Sequence, residues 1–442
     1  MGSSKAQIVG YRYYVGMHLV FGLSPKTAPV TAVKRIRVGE KDAWSGNVTS
    51  NTQIAINQPN LFGGDQKEGG VVGTFDVEFG GAAQAVNSYL ASKLSGYPLP
   101  AFRGLLGLVL ESPQLSALNP YIKPVSIYAS RINGGFYPAK AAIGESMNPA
   151  HILYELLTLP EFSIGAASSD LNVASFQAAA DTLYAEGFGL SFLWEDERPT
   201  EEFIDLIRQH IDGALYPDPA TGQLTLKLVR DDFVLGDLRI LDSSNILRIE
   251  RFSQPLPGEL VSEVQVKFED QATGAAASVT AQDIAVLEMQ GGASVPVVRN
   301  YPGIPDSTLA GKVALRELRQ LATPIARAEI TCTREAWDMH IGQAFRLQWP
   351  PLGIDDMVMR VADIDYGTLH NGRITLSVVQ DVFRVADTQI GVPPATGWAS
   401  PVSSPAAAPV RLAMEAPYWV VAREVLGDQG GLLADVDPLS GL

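Results

Sequence analysis

The chain has 442 residues, 46% hydrophobic and 18% charged, enough apolar material for packed cores and for about three domains at roughly 150 residues each, which excludes wholesale disorder. Its 48 acidic and 33 basic side chains leave a formal net charge of −15, which excludes a general nucleic-acid binder, because phosphate contacts need clustered Lys and Arg. Cys332 is the sole cysteine, which excludes an intrachain disulfide framework and a cysteine-rich zinc site.

The N-terminus, Met1-Gly2-Ser3-Ser4-Lys5, has no signal-peptide core, and Leu19-Val20-Phe21 is too short to be one. No apolar run reaches bilayer-spanning length, so the expected site of folding is a cytoplasm. Residues 1–145 read as β. Arg35-Ile36-Arg37-Val38 alternates, and Phe75, Val77 and Phe79 share one face of a strand. Phe102 to Leu110 reads as a doubly buried strand. Gly63-Gly64, Gly69-Gly70, Gly134-Gly135 and the Pro98/Pro100 pair punctuate these strands, as in a barrel or sandwich.

At Asn148-Pro149 the period changes. Asn suits the N-cap and Pro the first helical position, and Ile152, Leu153, Leu156 and Leu157 follow at helical spacing up to Pro160. A second helix is predicted from Asp170 or Asn172 to Gly187, with Phe176, Ala179, Ala180, Leu183 and Tyr184 as its apolar stripe. A third starts at Thr200 with Glu201 and Glu202 in its first turn, where the helix dipole favours acids. Phe203, Leu206, Ile207 and Ile211 make its stripe, and Gly213 is its expected end. A hairpin follows, turning at Pro217-Asp218-Pro219 and Gly222 into Leu224, Leu226 and Leu228. These helices and the hairpin make a compact α+β unit, residues 146–244.

The chain then returns to β over 245–390. Val264, Val266 and Phe268 alternate with polar residues. One helix is predicted from Ser307 to Ala322, with Leu309, Val313, Leu315 and Leu318 on one side. Strands resume at Ala328 to Thr333 and at Ala344 to Gln348. Met357–Tyr366 and Arg373–Val379 flank His370-Asn371-Gly372, and Asn-Gly accepts positive φ at both central turn positions. After Val392 come Pro393, Pro394, Pro401, Pro405 and Pro409, an extended linker. The remainder of 391–442, with Tyr418-Trp419-Val420-Val421, reads as the opening of a further domain. The fold class is α+β, mainly β.

Catalytic signals are sparse. No nucleophile elbow, metalloprotease helix motif or phosphate-binding loop motif occurs. His18, His151, His210, His340 and His370 lie in five separate predicted elements, and no pair has metal-ligand spacing. The Gly63-Gly64-Asp65 and Gly69-Gly70 stretch could cradle phosphate, but no helix opens after it. A loop between strands that docks onto a neighbouring subunit fits better. Glu195-Asp196-Glu197 beside Trp194 could do paired-carboxylate chemistry, although three acids before Arg198-Pro199 also suit a solvated helix start. Asp355-Asp356 reads the same way, as a solvated loop. Cys332 between Thr331 and Thr333 reads as a small core residue of a strand rather than a reactive thiolate. No residue is assigned a catalytic, cofactor-binding or metal-ligating role.

Asn148-Pro149-Ala150-His151-Ile152-Leu153-Tyr154-Glu155-Leu156-Leu157-Thr158, running on to Pro160-Glu161-Phe162-Ser163-Ile164-Gly165, resembles a stretch of tailed-phage tail-tip proteins. The order of the following segments fits as well: Asp170-Leu171-Asn172, Phe188-Gly189-Leu190, Phe203-Ile204, Thr221-Gly222-Gln223-Leu224, Asp231-Asp232 and Ser244-Asn245-Ile246. Val261 to Phe383 is similar to the tail domain of gene-transfer-agent and siphophage hubs. The likeness covers roughly residues 1–390 and extends to the N-terminal hub part of lambda-like host-specificity (tip-attachment) proteins. It implies a homotrimeric baseplate hub at the distal tail tip, with two tail-tube-like β-barrel domains per protomer flanking the α+β insertion. Six barrels would then face a sixfold distal tail ring. The hub would close the tube, hold the end of the tape-measure protein, contact other tail-tip and receptor-binding proteins, and open for genome ejection. Its expected location is the virion, after assembly in the host cytoplasm. The resemblance implies no catalytic residues and no cofactor. The acidic balance suits a conduit whose wall does not adsorb DNA.

Two other readings remain open. A tail-associated cell-wall hydrolase would use Glu195, Asp196 or Glu197, in a cleft beside Trp194. A receptor- or glycan-binding adhesin would expose aromatics, with Tyr11, Tyr13, Tyr14 and Tyr418-Trp419 as candidates, although Tyr11 and Tyr13 could instead pack one face of a first strand. The hub reading further expects residues 62–72 and 350–356 to be ordered only by neighbouring subunits.

Overall fold

A computed structural model describes residues 11–384, apart from 119, 162–164, 195, 196, 198 and 369. Strands dominate, in curled, half-barrel sheets. The first sheet runs in the order Arg12–Tyr14, Gln114–Ala117, Val71–Glu78, Leu105–Leu110, Met17–Leu23, and Thr52–Gln58 also pairs with Val71–Glu78. Its alternation is the one the sequence predicts: Phe75 and Val77 are buried, while Asp76 between them points to the other face. A three-stranded sheet, Lys41–Val48, Ala32–Val38 and Val125–Ser130, closes over the same core, which holds Ile36, Ile54, Phe75, Leu108, Leu110 and Leu115. The run from Phe102 becomes a strand only at Leu105, because Phe102 and Gly104 take positive φ of 49° and 78° in the turn before it.

The helices follow from their caps. Asn148 accepts a hydrogen bond from the Ala150 N–H (3.1 Å) and starts Pro149–Thr158. Asn172 caps Val173–Glu186, which ends on left-handed Gly187. Thr200–Ile211 ends one residue earlier than the glycine suggests. Asp212 takes the left-handed position (φ 52°), which a short polar side chain tolerates, and Gly213 opens the strand Gly213–Pro217. Two short helices not foreseen from the sequence, Ser88–Lys93 and Ile284–Met289, start on the caps Asn87 and Asp283.

The sequence boundary at 244/245 cuts across a core. Val264, Val266 and Phe268 of the strand Glu263–Asp270, with Leu309, Val313 and Leu318 of the helix Ser307–Ala322, pack with Leu153, Phe176, Leu183, Ile207, Leu226 and Leu228. The α+β unit is therefore built from two stretches of chain, one on each side of 245. The reason is burial: the sheet Ala275–Gln282, Glu263–Asp270, Pro296–Asn300 needs an apolar cover on one face, and the helices supply it. What remains of the second β-rich region is one six-stranded sheet in the order Ile240–Leu241, Ala344–Trp349, Ile354–Asp365, Ile374–Gln380, Arg327–Cys332, Ile246–Ser253, with its own core around Ile330, Phe345, Met359 and Leu376.

Long-range polar contacts tie these parts together. Arg35 donates to the carbonyls of Ala272 (2.9 Å) and Gln271 (3.1 Å), and its guanidinium lies 4.0 Å from the centre of the Tyr128 ring. The turn it grips carries Gly274 at φ +66°, where an added Cβ would sit 1.9 Å from the Tyr128 hydroxyl. Only glycine fits that approach.

Candidate functional site

The residues singled out by the sequence do not converge. The glycine-rich loop is held by its own chain. The N–H groups of Phe62 and Gly64 donate to the Gly69 carbonyl (2.9 and 3.1 Å), and the Gly69 N–H returns a bond to Gly64 (2.8 Å). Asp65 pairs with Arg12, Glu68 with Lys123 (2.6 Å), and the Lys123 ammonium lies over the Phe62 ring. Its amides close on one another, so it is no phosphate cradle. These intrachain bonds hold 62–72 to its own chain. Residues 350–356 are likewise tied to their own chain. Ile354 begins a strand, and Asp356 accepts a two-pronged pair from Arg346 (both 2.8 Å) instead of lying in a solvated loop. The Arg346 guanidinium holds the Asp356 carboxyl below its ordinary range.

The five histidines do not come together, and four of them pack against aromatic rings. His210 is fully buried between Phe192 and Tyr301; its Nδ1–H donates to the Leu206 carbonyl (2.7 Å), and Nε2 accepts from the Gly303 N–H (3.2 Å). Burial lowers its pKa to about 4. His340 stacks on Tyr216, with ring centres 5.0 Å apart and 6° from parallel, and burial lowers its pKa. His18 meets Phe102 edge-on, and His370 is exposed in its hairpin turn. His151 stacks on Phe136 and shares a helix face with Glu155 one turn on. Burial raises the Glu155 pKa, against the pull of Arg131. Such a pair resembles acid–base machinery, but the two are only 2% and 4% exposed, so no substrate reaches them.

Glu195 and Asp196 lie outside the described residues, as do Tyr418, Trp419 and the proline-rich segment. Glu197 is exposed, and Trp194 packs against Phe203 (4.8 Å between rings) as cover for a core. Cys332 is buried at the end of its strand, Arg327–Cys332, and burial pushes its pKa up to about 12. Thiol reagents should therefore leave native protein unlabelled at pH 8 and label it stoichiometrically in denaturant; rapid native labelling would contradict the buried strand. Among the described residues, no group of three His, Cys, Asp or Glu side chains could hold a metal ion, and no helix is long and apolar enough to cross a membrane.

What the sequence did not reveal is polar and long-range. Arg360, 8% exposed, donates through Nε and Nη2 to one oxygen of Asp381 (2.9 and 2.6 Å) and through Nη1 to the Gly342 carbonyl (2.7 Å). Its Nη2 also reaches the Arg230 carbonyl (3.1 Å), joining the last sheet to the segment after the hairpin. No periodicity marks residues 21 and 130 positions apart as partners. Tyr11, Tyr14, Tyr97 and Tyr121 are well exposed, whereas Tyr13 is half-buried. Of the first-strand aromatics, only Tyr13 thus follows the packed alternative.

No protein-family model matches the chain, and no curated protein matches it by sequence. Solved structures do. The fold is similar to that of a chain in the virion of a native gene transfer agent particle, at TM-score 0.52 and 15% identity, covering 88% of this chain and 89% of that one. Weaker likenesses are the 43 kDa tail protein of prophage MuSo2 from Shewanella oneidensis (TM-score 0.31, 14% identity, 79% and 98% covered) and the tail protein from Neisseria meningitidis MC58 (0.33, 13%, 79% and 96%). What this defines is the fold, shared with a chain of a gene transfer agent virion.

Proposed function

We propose that the chain is a structural virion protein, the homotrimeric hub at the distal tip of a phage-type tail. The observation that carries this reading is the shared fold over nearly the full length of both chains. Three features of the molecule support it. Each protomer has two curled six-stranded sheets, so three protomers supply six, matching a sixfold distal tail ring above a threefold tip. Both sheets end in long edge strands, Met17–Leu23 and Ile246–Ser253, whose outward side chains are largely exposed; such edges suit pairing with neighbours. The acidic balance lets DNA pass without adsorbing.

In this reading the protein performs no catalysis. It closes the tube, holds the end of the tape-measure protein, and opens as the genome leaves. Residues 11–145 and the sheet from Ile240 to Gln380 are the two tube-like parts, and the α+β unit braces them. Light scattering tests the assembly: the mass should be three times 47.4 kDa, alone or with a distal tail protein added. A monomer under both conditions would overturn the hub.

A further inference from the structure

We propose that the cleft between the helices Val173–Glu186 and Ser307–Ala322 binds a carboxylate from an acidic polypeptide segment of a partner. The cleft has a volume of about 250 Å³ and is lined by Glu186, Phe188, Arg230, Lys312, Val313 and Arg316. In a chain with net charge −15, this lining sets three cations against one carboxylate. That carboxylate is already engaged: Arg230 holds both oxygens of Glu186 (2.6 and 2.9 Å). Lys312 and Arg316 stand one turn apart on the same helix face, where like charges repel unless an anion lies between them.

Helix capping uses only part of their donor capacity. Lys312 gives one N–H to the Glu186 carbonyl (2.9 Å), and Arg316 donates to the carbonyls of His210 (2.9 Å) and Gln209 (3.4 Å). The Arg316 Nε is buried and has no acceptor. Glu317 forms a long ion pair with Arg316 (3.6 Å) while its Oε1 also accepts from the Tyr301 hydroxyl (2.7 Å), and Arg299 draws on the same carboxylate (3.7 Å). An incoming anion would meet the spare donors of Lys312 and Arg316. Phe188 and Val313 form the apolar part of the wall. Such a wall suits a carboxylate on an aliphatic stem and gives nothing to a fully hydrated phosphate.

The test is calorimetric titration of the full chain at low salt with three probes: N-acetylglutamate amide, its glutamine counterpart, and inorganic phosphate. The glutamate probe should bind with a dissociation constant on the order of 1 mM, as expected for so small a ligand. The glutamine probe, and the Lys312→Met variant with the glutamate probe, should each bind about tenfold more weakly. Lys312→Arg, which keeps the charge, should restore binding, and circular dichroism checks that both variants fold. Equal binding of the two amides, no effect of Lys312→Met, or phosphate binding tighter than glutamate would overturn the proposal. None of these outcomes depends on the oligomeric state, so this inference and the hub reading fail separately.

Discussion

Replacing Asp381 by Ala should destabilise the last sheet by about 3–5 kcal/mol, because it leaves a buried guanidinium without its counter-charge. The side chains of Arg360 and Asp381 are only 9% and 1% exposed, so water cannot substitute for the lost carboxylate. The second Asp381 oxygen accepts from the Phe383 N–H (2.8 Å), so the same substitution also frees a backbone donor. A chain of this size need not unfold in one step, and the measurement should therefore be local. Native-state hydrogen exchange over Ile354–Asp365 and Ile374–Gln380 should speed up strongly, with a smaller change over Val173–Glu186. The double variant Arg360→Met/Asp381→Leu should recover much of the loss, since a buried pair removed whole costs less than one broken in half. Unchanged exchange in Asp381→Ala would show that the pair is not buried as described.

Acidification should weaken the α+β unit through His210. Its folded pKa of about 4 lies below the unfolded value of 6.5, so between those limits the unfolded chain binds the extra proton. Stability is fully present above pH 6.5, falls as pH drops through the window, and the loss is complete below about pH 4. The interval corresponds to about 3 kcal/mol. Burial is the main cause, and the nearby Arg316 adds repulsion to the imidazolium. Protonation would also place a proton on Nε2, where the Gly303 N–H already points. An NMR titration of the His210 ring should show its midpoint near pH 4, with unfolding of this unit by urea becoming easier from pH 7 to pH 4. A midpoint near 6.5 would contradict the buried, neutral ring.

Local readings succeeded where a short stretch of chain decides the outcome. Asn148, Asn172 and Gly187 cap helices as their types suggest, and the alternation of Phe75 and Val77 sets one face of a strand. Cys332 is a core residue for the reason its strand setting gives. Where the sequence misled, the competing effect was longer in range or finer in grain. Asp212 rather than Gly213 ends a helix, because two adjacent residues could both take the left-handed turn and only the packing of the following strand chooses between them. Arg12, Lys123 and turn hydrogen bonds hold residues 62–72 to the chain, partners that no spacing rule foretells.

The α+β, mainly-β class, the helix starts and the inward faces were determined by the sequence alone, since capping and side-chain periodicity act over a few residues. Which core each strand joins was decided only by the tertiary structure. Glu263–Asp270 alternates like any sheet strand, and nothing in that alternation says that helices 149–211 would cover its apolar face. The same holds for the Arg360–Asp381 pair and for the cationic cleft at Lys312 and Arg316. Their partners are brought together by the burial of apolar faces far apart in sequence, and that burial depends on the whole fold.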